Sequence, residues 1–307
     1  MISVIVLLEH QYTDFPEYLL NLDRVFSVLG EDYEIIVIAN GTGNFLRSLQ
    51  NRLQGLRHRL HAFEFSTHVT PAVSLKSILI EAKGDTLVIC GSYQQLTDQS
   101  LADCVKALDE DTDMVSPWRR KRVDPGFSRF QSSVFNKIVG SFVKTDLHDF
   151  SCTVKVCRRP MLEMVDLYGN MFRFLPLLAM AKGFRVKEVP VEHYQERGKT
   201  GFYSFSEYIT RLLDIFTLFF NIRFSRKPLR FFSCIGGGII GIGLILMVVL
   251  FVQRLFFEIP IGNRSLLFVA LLLTILGVLI SGAGLLGEII AFANGRHKKE
   301  YMIEKEI

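Results

Sequence analysis

One segment of the sequence concentrates positive charge in a pattern that suits an anionic ligand. It reads RRKRVDPGFSR and contains Arg119, Arg120, Lys121, Arg122 and Arg129. Each guanidinium group offers two aligned N–H donors to a phosphate, so such a cluster can bind a diphosphate or a lipid phosphate. A solvated or lipid-facing basic loop would have the same composition. Both interpretations follow from the residues alone.

A second segment is notable because its loop, residues 91–97, lacks carboxylates. The stretch TLVICGSYQQLTD, residues 86–98, predicts a buried strand that runs into a polar loop with Ser92 and Tyr93. A hard cation such as Mg²⁺ needs oxygen ligands that usually include one or two carboxylates, and neutral hydroxyls do not compensate for its dehydration. Asp98 is the nearest carboxylate beyond the loop, but it is also a suitable N-cap for a helix predicted at residues 99–110.

Strand and helix patterns alternate around these segments. Nearly continuous apolar runs at Ile2–Leu8 and at residues 33–39 are typical of parallel strands covered on both faces. Further strands are predicted at residues 61–65, 86–90 and 114–118, and helices at residues 15–29, 44–53, 72–85 and 99–110. This alternation predicts an α/β fold with an open, mostly parallel sheet whose ligands lie beyond the carboxyl ends of the strands.

The C-terminal third contains two long runs without charged side chains. Residues 231–252 and residues 266–286 can each cross the roughly 30 Å hydrocarbon layer as a helix. Lysine and arginine are concentrated just before the first run and just after the second, so both termini are predicted to face the cytoplasm. Residues 202–230 have the composition of an interfacial amphipathic segment, and residues 172–181 form either a second such helix or a core helix.

These observations define the predicted organisation. It comprises a cytoplasmic domain at residues 1–201, a juxtamembrane segment at residues 202–230, membrane helices at residues 231–252 and 266–286, a short external loop at residues 253–265, and a cytoplasmic tail at residues 287–307. In the first membrane helix, Gly237 and Gly241 form a GxxxG pair, a pattern that permits close helix packing.

Composition argues against two other classes of protein. The formal net charge of +4 is accounted for by the basic residues that flank the membrane helices, and we recognise no nucleic-acid-binding module. The five cysteines form no CxxC pair, which is typical of reduced thiols and not of zinc ligands or disulfides. The charge pattern therefore indicates a membrane, and not a nucleic acid, as the partner.

The order of several motifs resembles family 2 glycosyltransferases that attach a sugar to a polyprenyl phosphate. The motifs are SVIV, EIIVIANGTGN, GDTLVICGSYQQLTD, HDFSCTVKVCRR, GFRVKEVPVEH and GLLGEIIAFANGR. The sequence is most similar to bacterial undecaprenyl-phosphate sugar transferases and dolichyl-phosphate mannose synthases. This resemblance implies a GT-A (Rossmann-like) fold attached to the cytoplasmic (inner) membrane, a nucleotide-sugar donor, a polyprenyl phosphate acceptor, a divalent metal and a tetramer.

The sequence departs from the family pattern where metal and donor are bound. Family members typically have Asp-Asp-Gly-Ser and Asp-x-Asp, whereas this chain has Ala-Asn-Gly-Thr at residues 39–42 and Gly-Ser-Tyr at residues 91–93. We therefore predict no metal ligands and no cofactor, although the family would use Mg²⁺ or Mn²⁺. The predicted donor contacts are Asn40, Ser92, Tyr93 and Gln95. Asn40 is alternatively a turn residue, and Gln95 alternatively caps the loop.

The acceptor residues are assigned by the same resemblance. Asp149 would lie near the acceptor, where it would orient or help deprotonate the attacking phosphate oxygen, and Lys155 stands where related enzymes often have arginine. A lipid phosphate is already largely ionised near neutral pH, so it needs little help from a general base. Positioning and charge neutralisation would supply most of the rate.

The resemblance also assigns the residues that would contact phosphate. They are Arg119, Arg122, Arg129, Arg197 and Lys199. The last two lie in YQERGKTGFYS, which occupies the place of the Arg-x-x-Gly-x-Ser-Lys motif of the family. Gly201 stands where the lysine of that motif is expected.

Two hypotheses from different classes follow. The first is an active membrane glycosyltransferase in which the lipid phosphate attacks the anomeric carbon with inversion and cationic side chains replace the metal. The second is a pseudoenzyme that keeps the fold and serves as a partner or scaffold subunit. The missing carboxylates favour the second hypothesis. The retained basic cluster, Asp149 and Arg197 favour the first, which we prefer because the acceptor half of the chain is preserved.

Overall fold

The computed structural model describes residues 1–9, 12, 14–40, 59–120, 147–150, 152–192, 194, 213–214, 216–220, 224, 227–257 and 265–295. The chain divides into two compact units, Met1–Leu218 and Phe219–Ile307. The first unit contains the sheet, and the second contains two long apolar helices.

The described part of the first unit is built on a seven-stranded sheet. Its strands are β1 (Ile2–Leu8), β2 (Tyr33–Asn40), β3 (Leu60–Phe65), β4 (Thr86–Cys90), β5 (Met114–Arg119), β6 (Lys155–Arg158) and β7 (Val186–Val191). They lie in the order β3-β2-β1-β4-β6-β5-β7. β6 is antiparallel to both neighbours and every other pairing is parallel, which confirms the predicted α/β fold with a mostly parallel sheet.

β1 and β2 are buried along their whole length, as their apolar sequences predict. Their polar exceptions, Ser3 and Glu34, satisfy each other, since the Ser3 hydroxyl donates to Glu34 Oε1 at 2.6 Å. The Ser3 oxygen in turn accepts the Gly84 N–H at 2.7 Å. Buried polar groups are tolerated when they are paired in this way, so the two strands remain a continuous core element.

Helices flank the sheet. They are α1 (Phe15–Leu29), α2 (Pro71–Ile78), α3 (Asp98–Lys106), α4 (Arg159–Met164) and α5 (Leu175–Ala181), with a 3₁₀ turn at Met171–Phe174. α1 buries Phe15, Leu19, Leu22 and Phe26 at spacings of three or four residues, the pattern of one apolar helix face. It ends at Gly30, whose φ of 75° is the left-handed conformation common at helix ends. The predicted bounds of this helix are confirmed.

The prediction of a helix at residues 72–85 is wrong at its C-terminal end, because α2 stops at Ile78. Tertiary contacts capture the chain that follows. A Cβ on Gly84 would lie 2.5 Å from the Ser3 nitrogen, so this glycine permits close contact with β1. The Arg159 guanidinium also donates to the carbonyls of Leu79 at 2.7 Å and Gly84 at 3.0 Å. These bonds replace the helical ones that the sequence pattern predicts.

The start of α3 also differs from the prediction. Thr97 is its N-cap, and the threonine hydroxyl accepts the Ser100 N–H at 3.4 Å. Asp98, predicted as the cap, is instead the first helical residue, and the helix ends at Lys106 rather than at residue 110. Threonine and aspartate are both good caps, so the sequence could not distinguish these neighbours.

Two further predicted helices have different outcomes. Residues 172–181 fall in the 3₁₀ turn and α5, where Phe174, Leu175 and Leu177 are completely buried, and this burial supports the core alternative over the interfacial one. The helix predicted at residues 44–53 lies outside the described residues. Of the predicted interfacial segment, residues 202–230, only residues 213–214, 216–220, 224 and 227–230 are described.

The second unit contains a hairpin of two helices, α6 (Pro228–Phe257) and α7 (Ser265–Gly295). Each is long and apolar enough to cross a membrane, and each contains one of the predicted membrane runs. Gly236 and Gly243 on α6 face α7 so closely that a Cβ would lie 2.6 Å from the Gly277 oxygen and 2.9 Å from the Ala270 oxygen, respectively. Small residues at such positions let helix backbones approach in a bilayer.

The predicted GxxxG pair does not make this contact. A Cβ on Gly237 or on Gly241 would meet no described heavy atom within 4 Å. At the start of α6, the Leu229 N–H donates to Glu288 Oε2 of α7 at 3.2 Å, which satisfies one of the backbone donors left free at a helix N-terminus. The hairpin is thus held by glycine contacts and by a carboxylate cap.

α6 carries glycines that contact α7 and glycines that face open space, and comparing the two kinds tests the packing of the hairpin. Gly243→Leu should destabilise the hairpin by about 1–3 kcal/mol, because the new side chain must displace Ala270 and Thr274. We expect a lower midpoint of unfolding when SDS is titrated into mixed micelles of the full-length protein. Gly241→Leu is the matched control, since its side chain enters open space. Equal shifts in the two variants would contradict this packing.

Candidate active site

Several predicted site residues lie at one edge of the sheet. β1, β2, β4 and β5 end there, and β6 begins there because it is antiparallel. Asn40 is the last residue of β2, Arg119 is the last residue of β5, and Lys155 is the first residue of β6. The loop after β4, which carries Ser92, meets the same edge. Ligands of open α/β sheets bind at this edge.

Arg119 and Asp149 form a buried bidentate ion pair. Arg119 Nε donates to Asp149 Oδ2 at 2.8 Å, and Nη2 donates to Oδ1 at 3.2 Å. The Arg119 backbone N–H also points to Oδ2, at 3.4 Å. The side chains are 1% and 3% exposed, respectively. Resemblance assigned the two residues separately, to phosphate and to acceptor, whereas the structure joins them in one unit.

Lys155 is completely buried beside this pair. Its Nζ donates to Ser116 Oγ at 3.1 Å. Burial lowers the pKa of Lys155, while the neighbouring Cys152 and Asp149 act in the opposite direction. In this structure the Lys155 ammonium therefore belongs to an internal charge cluster, and its predicted catalytic role stays a prediction.

Gln95 connects two loops of the edge. Its side-chain oxygen accepts the Thr153 N–H at 2.8 Å, and its Nε2 donates to the Tyr93 hydroxyl at 3.0 Å. Its backbone oxygen accepts the Tyr194 N–H at 2.9 Å. These contacts support the structural alternative for Gln95, because they tie the loop after β4 to the segment that leads into β6.

Ser92 and Asn40 are likewise engaged by the protein. Ser92 Oγ donates to the Leu7 carbonyl at 2.9 Å and accepts the Glu9 N–H at 3.0 Å. The Asn40 amide bonds both backbone groups of Val69, accepting its N–H at 2.8 Å and donating to its carbonyl. Both side chains thereby hold neighbouring loops in place. Their contact with a donor stays a prediction.

An open cleft of about 550 Å³ lies between the N-terminal ends of α1 and α3. Its lining residues are Asp14, Glu17, Tyr18, Asn21, Tyr93, Gln94, Thr97, Asp98, Gln99 and Tyr194. Asp98 Oδ1 accepts the side-chain amides of Asn21 at 2.6 Å and Gln94 at 2.8 Å. Within the described ranges, no three His, Cys, Asp or Glu side chains converge as a metal-ligating group.

The loop after β4 presents hydroxyl groups and no carboxylate at Ser92 and Tyr93. The oxygen of Ser92 donates its proton to a carbonyl, and Tyr93 packs edge-on against Tyr12 with ring centres 5.5 Å apart. A cation that prefers carboxylates finds only neutral groups at these two positions.

The structure also adds residues that the sequence did not single out. Trp118 stacks on His148 with ring centres 4.3 Å apart, and the Arg120 guanidinium lies 5.7 Å from the centre of the Trp118 ring. Glu188 of β7 contacts the segment that carries Asp149. Nothing local in the sequence pairs Trp118 with His148 or Glu188 with Asp149, since these partners are 30 and 39 residues apart, respectively.

The remaining predicted phosphate residues lie outside the described residues. These are Arg122, Arg129, Arg197 and Lys199. Their roles stay predictions.

Comparison with known families identifies the class of protein. Residues 17–165 match the profile of glycosyl transferase family 2. The match runs from α1 to the end of α4 and includes the loop after β4, the Arg119–Asp149 pair and Lys155. The chain therefore carries a family 2 glycosyltransferase domain, as its motifs indicated.

Two relatives make the assignment more particular. Undecaprenyl-phosphate 4-deoxy-4-formamido-L-arabinose transferase from Klebsiella pneumoniae is 24% identical over 310 aligned positions, which cover 100% of this chain and 93% of that protein. Dodecaprenyl-phosphate galacturonate synthase from Rhizobium johnstonii is 25% identical over 236 positions, 76% of this chain and 70% of that protein. The similarity to polyprenyl-phosphate sugar transferases is thus confirmed.

Solved structures share the fold of the first unit. Glucosyl-3-phosphoglycerate synthase from Mycobacterium tuberculosis, crystallised with Mn²⁺, UDP-glucose and phosphoglyceric acid, gives a TM-score of 0.52 at 12% identity, over 72% of this chain and 79% of that chain. A crystal structure of the same synthase with UDP gives a TM-score of 0.50 at 13% identity, with the same coverage. At this identity the likeness establishes the GT-A-like fold alone.

Proposed function

We propose that this protein transfers a sugar from a nucleotide-sugar donor to a polyprenyl phosphate at the cytoplasmic face of the inner membrane. One observation carries the proposal: the similarity to the Klebsiella transferase extends over the whole chain, including both the sheet domain and the apolar hairpin. A family 2 domain joined to two apolar helices suits a reaction in which one substrate is soluble and the other is a lipid.

The proposed reaction is a single displacement with inversion. An oxygen of the lipid phosphate attacks the anomeric carbon and forms the new C–O bond. The bond from that carbon to the diphosphate breaks, and its electron pair leaves with the nucleoside diphosphate. The second pKa of a phosphate monoester is about 6, so the nucleophile is already largely ionised at neutral pH. Catalysis then depends mainly on positioning and on neutralising the phosphates.

The charges of the chain are distributed accordingly in this proposal. The basic residues at 120–129, together with Arg197 and Lys199, supply cations for the diphosphate and the lipid phosphate, while Arg119 acts through its buried ion pair with Asp149. Asp149 stands at the acceptor side, in an orientation set by its bidentate contact with Arg119. We further propose that no metal ion is required, because the carboxylates that the family uses are replaced at residues 39–42 and 91–93.

The membrane arrangement is part of the same proposal. Two membrane-spanning helices, α6 and α7, with basic residues before the first and after the second, would leave both termini in the cytoplasm. The sheet domain would then lie on the side where nucleotide sugars are made. The pseudoenzyme alternative is not favoured, since one of the two relatives is a transferase and the other is a synthase.

The decisive experiment measures transfer with and without a chelator. Full-length protein in detergent is incubated with undecaprenyl phosphate and a panel of nucleotide sugars, and the lipid product is detected by mass spectrometry. We expect product with at least one donor, and we expect its rate to persist in EDTA.

The outcomes separate the claims. Loss of product in EDTA, with recovery on adding Mg²⁺ or Mn²⁺, would refute the metal-free mechanism and leave the transferase function intact. Absence of product with every donor, together with absence of nucleotide binding in calorimetry, would refute the transferase function itself.

A further inference from the structure

Glu188 lies on β7 next to the buried charge cluster. In the pairing of β5 with β7, Glu188 is the register partner of Ser116, the residue that binds the Lys155 ammonium. The Glu188 side chain is 13% exposed. A carboxylate that is this deeply buried needs hydrogen-bond donors to compensate for lost hydration. The residues that donate to Glu188 are therefore the ones that it holds in place.

The Glu188 carboxylate contacts two consecutive residues, His148 and Asp149. Oε1 accepts the backbone N–H of His148 at 2.6 Å and the backbone N–H of Asp149 at 3.2 Å. Oε2 contacts His148 Nδ1 at 2.7 Å. Successive backbone N–H groups that converge on one anion fix the peptide planes between them. The carboxylate of Glu188 therefore sets the direction in which the chain presents Asp149.

The other side of the same segment is fixed by β5. Arg119 holds the Asp149 carboxylate through two guanidinium bonds, and Trp118 stacks on the His148 ring. Residues 147–150 belong to no helix or strand. Their conformation is therefore fixed by side-chain contacts and not by the backbone hydrogen bonds of a helix or sheet. β7 holds the backbone of the segment and one nitrogen of the His148 ring, and β5 holds the Asp149 carboxylate and stacks on the His148 ring.

We propose that Glu188 is a positioning residue for Asp149 in the sugar-transfer reaction. The inference rests on the proposed function and names a residue that acts through another one. Glu188 touches the Asp149 backbone and does not need to touch a substrate. Without it, two N–H groups lose their acceptor and the backbone that carries the Asp149 carboxylate is no longer fixed from β7. Misplacement of a positioning group by even about 1 Å can cost roughly 100-fold in rate.

The test compares two variants of Glu188 in the full-length protein. Glu188→Ala should lower kcat by about 10- to 100-fold, in the range seen when a residue that orients a functional group is lost. The KM values for undecaprenyl phosphate and for the nucleotide sugar should change little. Glu188→Gln should recover most of the wild-type kcat, because its side-chain oxygen can still accept both backbone N–H groups.

Asp113→Ala is the matched control, because it also removes a carboxylate that accepts a backbone N–H. Asp113 lies just before β5, its side chain is 15% exposed, and its carboxylate accepts the backbone N–H of Arg185 at 2.8 Å. It lies at the opposite end of the sheet from Asp149. Its loss should lower the thermal unfolding midpoint and leave kcat unchanged. Hydrogen exchange of residues 147–150 should accelerate in Glu188→Ala only.

The outcomes are distinct. An unchanged kcat in Glu188→Ala would overturn the positioning role, and so would an equal loss of kcat in Asp113→Ala or a failure of Glu188→Gln to recover activity. A wild-type protein without turnover on any donor would refute the proposed function, and the positioning role with it. Turnover by the wild type with an unaffected Glu188→Ala would refute the positioning role alone.

Discussion

Arg119→Ala is expected to destabilise the protein by about 3–5 kcal/mol, the cost of leaving one charge of a buried ion pair without its partner. Asp149 would then be a buried carboxylate that has lost both guanidinium bonds. Asp149→Ala should cost a similar amount, because it strands the Arg119 guanidinium instead. Thermal unfolding of the detergent-solubilised protein measures both effects.

The double variant distinguishes an ion pair from two independent residues. If the pair is one unit, the combined loss in Arg119→Ala/Asp149→Ala should be much smaller than the sum of the single losses. Arg185→Ala serves as the control, because its ion pair with Asp111 joins side chains that are 53% and 93% exposed. Such surface pairs contribute less than about 1 kcal/mol. Additive single losses would contradict the coupling of Arg119 with Asp149.

Arg129→Ala is expected to raise the KM for undecaprenyl phosphate by about 10- to 100-fold. A hydrogen bond to a charged group contributes roughly 1.5–3 kcal/mol, which corresponds to one to two powers of ten in affinity. The expectation comes from the sequence, because Arg129 lies outside the described residues. Initial rates at saturating nucleotide sugar measure it.

Arg185→Ala is again the matched control, since it removes an arginine from the end of the sheet opposite the one that holds Arg119. The KM for the lipid should stay at the wild-type value in this variant. An unchanged KM in Arg129→Ala, or an equal rise in both variants, would speak against a specific phosphate contact at Arg129.

The sheet was predictable because its signals are local. Apolar runs identified β1 and β2, and the edge that gathers the ends of the parallel strands follows from their common direction. The end of α2 was not predictable, because it depends on Gly84 meeting Ser3, a residue 81 positions earlier. Tertiary contacts overrode a helical pattern there.

The candidate site was predictable in its members but not in their partners. Motif resemblance selected Arg119, Asp149 and Lys155, and the structure brings all three together. Resemblance could not reveal that Arg119 and Asp149 bind each other, since they are 30 residues apart along the chain and meet only in the folded sheet domain. Glu188 went unnoticed for the same reason.

The reversed direction of β6 has a consequence for how substitutions along it should be interpreted. Its first residue, Lys155, belongs to the charge cluster at the ligand edge, whereas its last residue, Arg158, donates to the carbonyls of Thr112 and Asp109 at the far edge. Arg159, the next residue, fastens the chain after α2. The four residues of β6 therefore connect the two ends of the sheet. An inherited substitution of Lys155 is therefore expected to change the reaction rate. A substitution of Arg158 is expected to change the amount of folded protein.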